Sequence, residues 1–176
     1  MNGKFSNKVV IVTGGTSGIG LATAKAFAQQ GAALFITGRR QQALDAAVRE
    51  IGGQVTGVRA DMSRLEDIDR LYDAVQQQHG QIDVVFANAG GGEFAPLGAI
   101  SEAHFDSAFN TNVKGVLFTV QKALPLLRDG GAVVLTASTT SISGTPRLQR
   151  LLRHQGCGAQ LRPQLDTRSE GASYPR

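Results

Sequence analysis

The chain has 176 residues, 41% of them hydrophobic and 18% charged, with a formal net charge of +4. That length suits one domain with a short extension, and the composition excludes a disordered polymer. The apolar runs fall far short of the ~18 residues that a membrane helix needs, and a single cysteine, Cys157, excludes an internal disulfide.

The charge is unevenly placed. Residues 1–146 carry 12 Lys+Arg against 12 Asp+Glu, whereas residues 147–176 hold six Arg, no Lys, one Asp and one Glu, and with them the whole excess. No Cys/His cluster offers a zinc site. The opening MNGKFSNK lacks the apolar core of a signal peptide, which leads to the expectation of a cytoplasmic protein.

From residue 8 to 137 short apolar runs alternate with helical stretches, the pattern of a parallel sheet with crossover helices. Val9–Thr13 reads as a strand, Ile19–Gln30 as a helix, Leu34–Thr37 as a second strand and Gln41–Ile51 as a helix. Val55–Arg59 is a third strand, and Ser63-Arg64-Leu65-Glu66 has the spacing of a capping box opening a helix to about Gln78. Ile82–Ala87 and Ala132–Ala137 read as the fourth and fifth strands. Between them a long helix is expected from Glu102 to Leu127, with Ser101 as its cap. Runs such as VVIV and VVL lack alternation, so their strands are expected to be covered on both faces. The fold class is α/β, a doubly wound parallel sheet. After Pro146 the pattern ends in scattered Gly, Pro and Arg.

Thr13-Gly14-Gly15-Thr16-Ser17-Gly18-Ile19-Gly20 lies between the first strand and the first helix. Glycines there allow a tight turn, a close approach of backbone to a pyrophosphate, and packing of helix on strand. The helix N-terminus then offers oriented N–H groups to phosphate oxygens.

With this motif the sequence resembles the short-chain dehydrogenase/reductase family, whose cofactor motif is Thr-Gly-x-x-x-Gly-x-Gly, over about residues 5–146. The resemblance implies a Rossmann-type dinucleotide-binding domain over residues 1–146, incomplete in its C-terminal half, with an Arg-rich tail over 147–176. It implies that Thr13, Gly14, Thr16, Ser17, Gly18, Ile19 and Gly20 surround the cofactor. Asp61, followed by Met62, takes the place of the family's adenine-contacting aspartate, and Asn88-Ala89-Gly90 that of its cofactor-lining segment. Asn112, in Asn112-Val113-Lys114-Gly115, stands where the family has its catalytic asparagine. Ser138 stands where it has the serine that hydrogen-bonds the substrate oxygen. Singly, each has a plainer reading: Asp61 as a turn residue, Asn88-Ala89-Gly90 as a turn, Asn112 as an ordinary helix residue. Thr136, Thr139, Thr140, Ser141 and Ser143 surround Ser138 in a Ser/Thr-rich loop. His79, His104 and His154 receive no role.

Charge bears on the cofactor. A carboxylate at the end of the second strand would bind a ribose 2′-hydroxyl and select NAD, whereas a basic residue accommodates the 2′-phosphate of NADP. Thr37-Gly38-Arg39-Arg40 has no following carboxylate until Asp45, and a guanidinium pairs well with phosphate. NADP is therefore expected over NAD, with Arg39 the first candidate and Arg40 the second. The plainer reading is two solvated arginines at a helix start.

The family completes its site with Tyr-x-x-x-Lys, the tyrosine thirteen residues after the serine. Here those places hold Leu151 and Gln155, and the two tyrosines of the chain, Tyr72 and Tyr174, have neither spacing. Permissible codons for residues 147–176, moved by one base, include the read AFSVYSATKAAVRSFARNWTLDLKERAIR. It sets a tyrosine at the place of Leu151 and a lysine at that of Gln155, so the tail is expected to be out of frame from about Arg147.

The resemblance implies an NADP(H)-dependent oxidoreductase acting on a small carbonyl or alcohol, impaired in this chain by the missing Tyr-x-x-x-Lys. The alternative is a non-catalytic dinucleotide-binding protein. A nucleic-acid arm in the basic tail is a third reading and is set aside; neither nucleic acid nor membrane is an expected partner. Homo-oligomers are possible in the intact family form.

Overall fold

The computed structural model describes residues 3–93 and 95–138. Strands β1 (Val9–Val12), β2 (Ala33–Gly38), β3 (Val55–Arg59), β4 (Ile82–Ala87) and β5 (Leu127–Leu135) form one parallel sheet in the order β3-β2-β1-β4-β5. Helices α1 (Gly18–Gln29), α2 (Gln41–Ile51), α3 (Leu65–Gln78), α4 (Glu102–Phe109) and α5 (Gly115–Ala123) cross over between the strands. This is the expected doubly wound α/β sheet, whose strand order reverses between β1 and β4. The expected domain end at residue 146 and the tail with Leu151, Gln155, His154 and Cys157 lie outside the described residues.

Two cores explain the apolar runs. Val9 and Ile11 of β1, with Phe35, Ile82 and Val85, meet Ile68, Leu71, Tyr72 and Val75 of α3 and Ala123 of α5. On the opposite face Val10 and Val12, with Leu34, Ile36 and Phe86, meet Ala24 of α1 and Leu44 and Ala47 of α2. Successive residues of a strand point to opposite faces, so a strand with helices on both sides is apolar throughout. That holds for β1 and β2, every residue of which is buried. It does not hold for the VVL of β5: Val134 is 49% exposed. Among the described residues β5 is an outermost strand, and its burial alternates.

Three other expectations are corrected. The capping box at Ser63 does not form. The first turn of α3 follows Arg64, without a side-chain cap. Asp61 Oδ1 instead accepts from Ser63 N–H at 3.0 Å and from Ser63 Oγ at 2.8 Å. The Asp61 carboxylate, two residues upstream, offers the Ser63 N–H and hydroxyl a strong acceptor, so Ser63 turns back to it and its oxygen does not accept from the first helix amides. The long helix from Glu102 to Leu127 is divided: a π-helical turn, Asn110–Lys114, separates α4 from α5, and α5 ends at Ala123, two residues before Pro125. Proline lacks the N–H and disfavours helix at the residue before it. The strand expected from Ala132 begins at Leu127, with an irregularity between the partners of Ile82 and Val84. Two histidines also have partners: the His79 ring meets Phe35 edge-on, and His104 Nε2 lies 3.0 Å from the Glu93 carbonyl.

Candidate active site

The expected site residues gather at the C-terminal ends of the strands, where open α/β sheets carry a crevice at the reversal of strand order. β1 delivers the loop Thr13–Gly20. Thr13 is 1% exposed, and its Oγ1 accepts from the backbone N–H of both Asn88 (3.0 Å) and Ala89 (2.9 Å). Asn88 Nδ2 returns a hydrogen bond to the Thr13 carbonyl at 3.1 Å and a longer one to that of Gly14 at 3.4 Å. Thr136, just beyond β5, donates to Asn88 Oδ1 at 3.1 Å. The ends of β1, β4 and β5 are thus tied through three side chains, those of Thr13, Asn88 and Thr136.

The glycines answer to this packing. Gly14 has φ +67°, and a Cβ there would stand 2.9 Å from Ala89 Cα; a Cβ at Gly20 would stand 2.2 Å from the Gly14 carbonyl oxygen. No residue but glycine gives this closeness without displacement. Ser17 precedes α1 at its N-cap without a side-chain cap bond, and the first turn of the helix holds no acidic residue. Ser17, Gly18 and Ile19 are exposed and Thr16 half-buried. An uncapped helix N-terminus beside a turn that excludes side chains fits the phosphates of a dinucleotide.

At the end of β2 Arg39 and Arg40 are exposed, and neither forms an ion pair among the described residues. Asp45 is occupied within α2, where it accepts from Gln41 Nε2 at 2.7 Å. Beyond β3, Asp61 is half-buried and Met62 buried. The Asp61 N–H donates to Asp67 Oδ2 at 2.7 Å, and Arg70 pairs with Asp67 Oδ1 at 2.8 Å. Burial works to raise the Asp67 pKa. The Asp61 amide, the Arg70 hydrogen bond and the charges of Arg70 and Arg64 outweigh it and hold the carboxyl below its ordinary value. The turn is therefore fixed by a carboxylate and leaves Asp61 Oδ1 on Ser63.

Asn112 lies in the π turn and is 8% exposed. Its Oδ1 accepts from Gly91 N–H at 2.9 Å, and its Nδ2 donates to the carbonyls of Gly91 (2.7 Å) and Ala108 (2.8 Å). Such a single π turn often marks a functional site. Gly90 is packed closely here: a Cβ on it would stand 2.8 Å from Asn112 Oδ1. Gly115 allows the Asp61 turn to reach the helix, since a Cβ there would stand 2.3 Å from the Met62 carbonyl oxygen. Ser138, half-buried, follows β5 by three residues; Thr139, Thr140, Ser141 and Ser143 lie outside the described residues.

Thr37 and Thr136 were not singled out as site residues by their sequence. For Thr37 the available signal is a threonine near the end of a buried strand, where valine would pack as well; Thr136 follows a half-exposed strand and carries no such signal. No group of three or more metal-binding side chains occurs among the described residues, nor any helix long and apolar enough to cross a membrane.

Known proteins are similar to this chain in sequence and in fold. An oxidoreductase of Sarocladium schorii, asL5, is 45% identical over 147 residues, covering 82% of this chain and 59% of that protein. A versicolorin reductase of Emericella nidulans is 33% identical over 151 residues, covering 83% and 57%. A short-chain dehydrogenase/reductase from Burkholderia phymatum, solved with NAD, superposes with a TM-score of 0.89 at 28% identity, covering 97% of this chain and 63% of that one. A short-chain dehydrogenase from Burkholderia cenocepacia, solved with NADP, gives 0.90 at 25% identity, covering 96% and 71%. The chain therefore spans less than two thirds of the length of the two curated relatives. The short chain dehydrogenase family model matches residues 8–149, and the chain belongs to the short-chain dehydrogenase/reductase family.

Proposed function

We propose that this chain is the nicotinamide-dinucleotide-binding part of an oxidoreductase, with NADP(H) preferred to NAD(H). The observation that carries the reading is the uncapped α1 N-terminus beside the Thr13–Gly20 turn, with two exposed arginines at the end of the neighbouring strand that form no ion pair among the described residues. Thr16, Ser17, Gly18 and Ile19 take the pyrophosphate. Asp61 and Met62 take the adenine side, and Asn88-Ala89-Gly90 the nicotinamide side. Arg39, with Arg40 second, takes the 2′-phosphate, since a planar guanidinium matches phosphate geometry. The NAD and NADP complexes of the two Burkholderia relatives support the cofactor class.

A dinucleotide held by the Thr13–Gly20 loop and Asn88-Ala89-Gly90 would supply hydride exchange with a carbonyl or alcohol carbon of a small substrate. Ser138 would hydrogen-bond the substrate oxygen from the end of β5. Asn112 is better placed to position than to touch substrate, because its carboxamide is engaged with Gly91 and Ala108. The proton-shuttling pair is missing at its spacing, where Leu151 and Gln155 stand. We assign this to a shifted reading frame from about Arg147, since the shifted read supplies a tyrosine and a lysine at those two places. The same Leu151 and Gln155 favour the second reading, dinucleotide binding without catalysis. A cytoplasmic protein with a small-molecule substrate, and with homo-oligomers in the intact form, agrees with either reading.

Titration with NADPH and NADH tests the cofactor assignment: NADPH should bind more tightly, and Arg39→Ala should weaken NADPH about tenfold while leaving NADH unchanged. Equal affinities would overturn the NADP preference. Sequencing the coding DNA across codons 144–156 tests the frame. A base change that restores Tyr-x-x-x-Lys should give a protein that reduces carbonyls with NADPH. A confirmed frame together with NADPH binding and no turnover leaves the non-catalytic reading.

A further inference from the structure

Thr37 occupies the point where the glycine loop meets the Asp61 turn. It is the fifth residue of β2 and 1% exposed. Its Oγ1 accepts from Gly14 N–H at 3.1 Å and donates to Met62 Sδ at 3.4 Å, and its carbonyl accepts from Gly15 N–H at 3.0 Å. One residue thus holds two successive amides of the loop and the side chain that follows Asp61. The strand itself does not call for a hydroxyl. Valine has nearly the same shape, favours strands equally and would avoid burying a polar group. Replacing Thr37 by valine would, however, leave the half-buried Gly14 amide without its acceptor, which is costly in proportion to its burial.

We propose that Thr37 is a positioning residue for the pyrophosphate of the bound dinucleotide. By drawing the amides of Gly14 and Gly15 back onto β2, it leaves those that follow, at the N-terminus of α1, as the ones presented to the phosphate oxygens. Through Met62 the same hydroxyl fixes that loop in register with the adenine side, whose backbone is in turn seated under Gly115. Site and ligand are then matched before binding, so little ordering of the loop remains to oppose it. This role rests on the dinucleotide reading above, and the two fail separately.

The test uses the 176-residue chain with NADPH, ADP and adenosine as probes, the last lacking phosphate. Thr37→Val should weaken NADPH and ADP about fivefold or more and adenosine less than about twofold, and Thr37→Ser should restore all three to about the wild-type values. If wild type binds neither NADPH nor ADP, the dinucleotide reading falls and this role with it. If wild type binds and Thr37→Val keeps its NADPH affinity, loses adenosine as steeply as ADP, or is not rescued by serine, only the positioning role falls. Should Thr37→Val not fold, amide exchange in the ligand-free wild type decides. Gly14 and Gly15 should exchange about tenfold or more slowly than Ser17 and Gly18, and a Gly14 amide as fast as that of Ser17 overturns the role.

Discussion

Asn112 and Gly91 form a closed pair: the carboxamide of Asn112 donates to the Gly91 carbonyl at 2.7 Å and accepts from the Gly91 N–H at 2.9 Å. The side chain thereby imitates a neighbouring strand for a glycine in the loop that follows β4. With its second donor on Ala108, both of its N–H donors are spent inside the protein. Asn112→Ala should cost about 1–3 kcal/mol, because both backbone groups of Gly91 lose their partner. Asn112→Asp keeps the acceptor but loses both donors and should be at least as costly near pH 7. Urea unfolding of the two variants checks this; an unchanged midpoint in both would show that the pair contributes nothing.

Tyr72 of α3, buried in the first core, donates its hydroxyl to the Thr119 carbonyl of α5. Tyr72→Phe should lower stability by about 1 kcal/mol, since one buried carbonyl loses its donor while the ring packing is kept. Burial pushes the phenol pKa well above its ordinary value. The folded state therefore holds the proton more tightly than the unfolded one, whose phenol titrates near about pH 10. This contribution is complete below pH 10 and is lost as pH rises above it. Denaturation midpoints between pH 8 and 11 should fall more steeply in wild type than in Tyr72→Phe.

Asp83 ties three strands at the opposite end of the sheet. It accepts from Val9 N–H at 2.9 Å, Lys8 Nζ at 3.0 Å and an Arg128 guanidinium nitrogen at 3.0 Å, and is 5% exposed. Burial works to raise its pKa, but the Val9 amide and the two cations outweigh it, and the value lies below the ordinary one. Its contribution is present above the unfolded value of about pH 4 and is lost as pH falls through the lower folded value. Asp83→Asn should cost about 2 kcal/mol at pH 7, moderated because Lys8 and Arg128 are 43% and 42% exposed. The variant's stability should also vary less between pH 5 and pH 2. Denaturation at several pH values measures both effects, and parallel curves for the two proteins would refute the assignment.

Gly115 lies against the Met62 carbonyl. Gly115→Ala should gain intrinsic helix propensity in α5 yet destabilise by about 1–3 kcal/mol, because a methyl meets backbone that cannot turn aside. A rise in melting temperature would show that the Asp61 turn can move away from α5.

The sheet was legible in the sequence because burial on both faces writes itself as unbroken apolar runs such as Val9–Val12, with turn glycines between. The glycine loop was legible for a related reason: close backbone approach at Gly14 and Gly20 admits no other residue type. Local signals failed where distant groups competed. Ser63 was taken by Asp61 in place of capping a helix, and the chain from Glu102 was broken at Asn112, whose side chain is claimed by a loop twenty-one residues earlier. VVL in β5 reads like VVIV in β1, yet only its position in the sheet decides which face is covered. The sequence by itself determined the element types and the motif positions, because these depend on neighbours a few residues apart. Only the tertiary structure decided that Thr37, Met62 and Gly115 form one chain of contacts from β2 to α5. Those contacts join residues that adjoin only once the sheet has formed, and no local pattern encodes them.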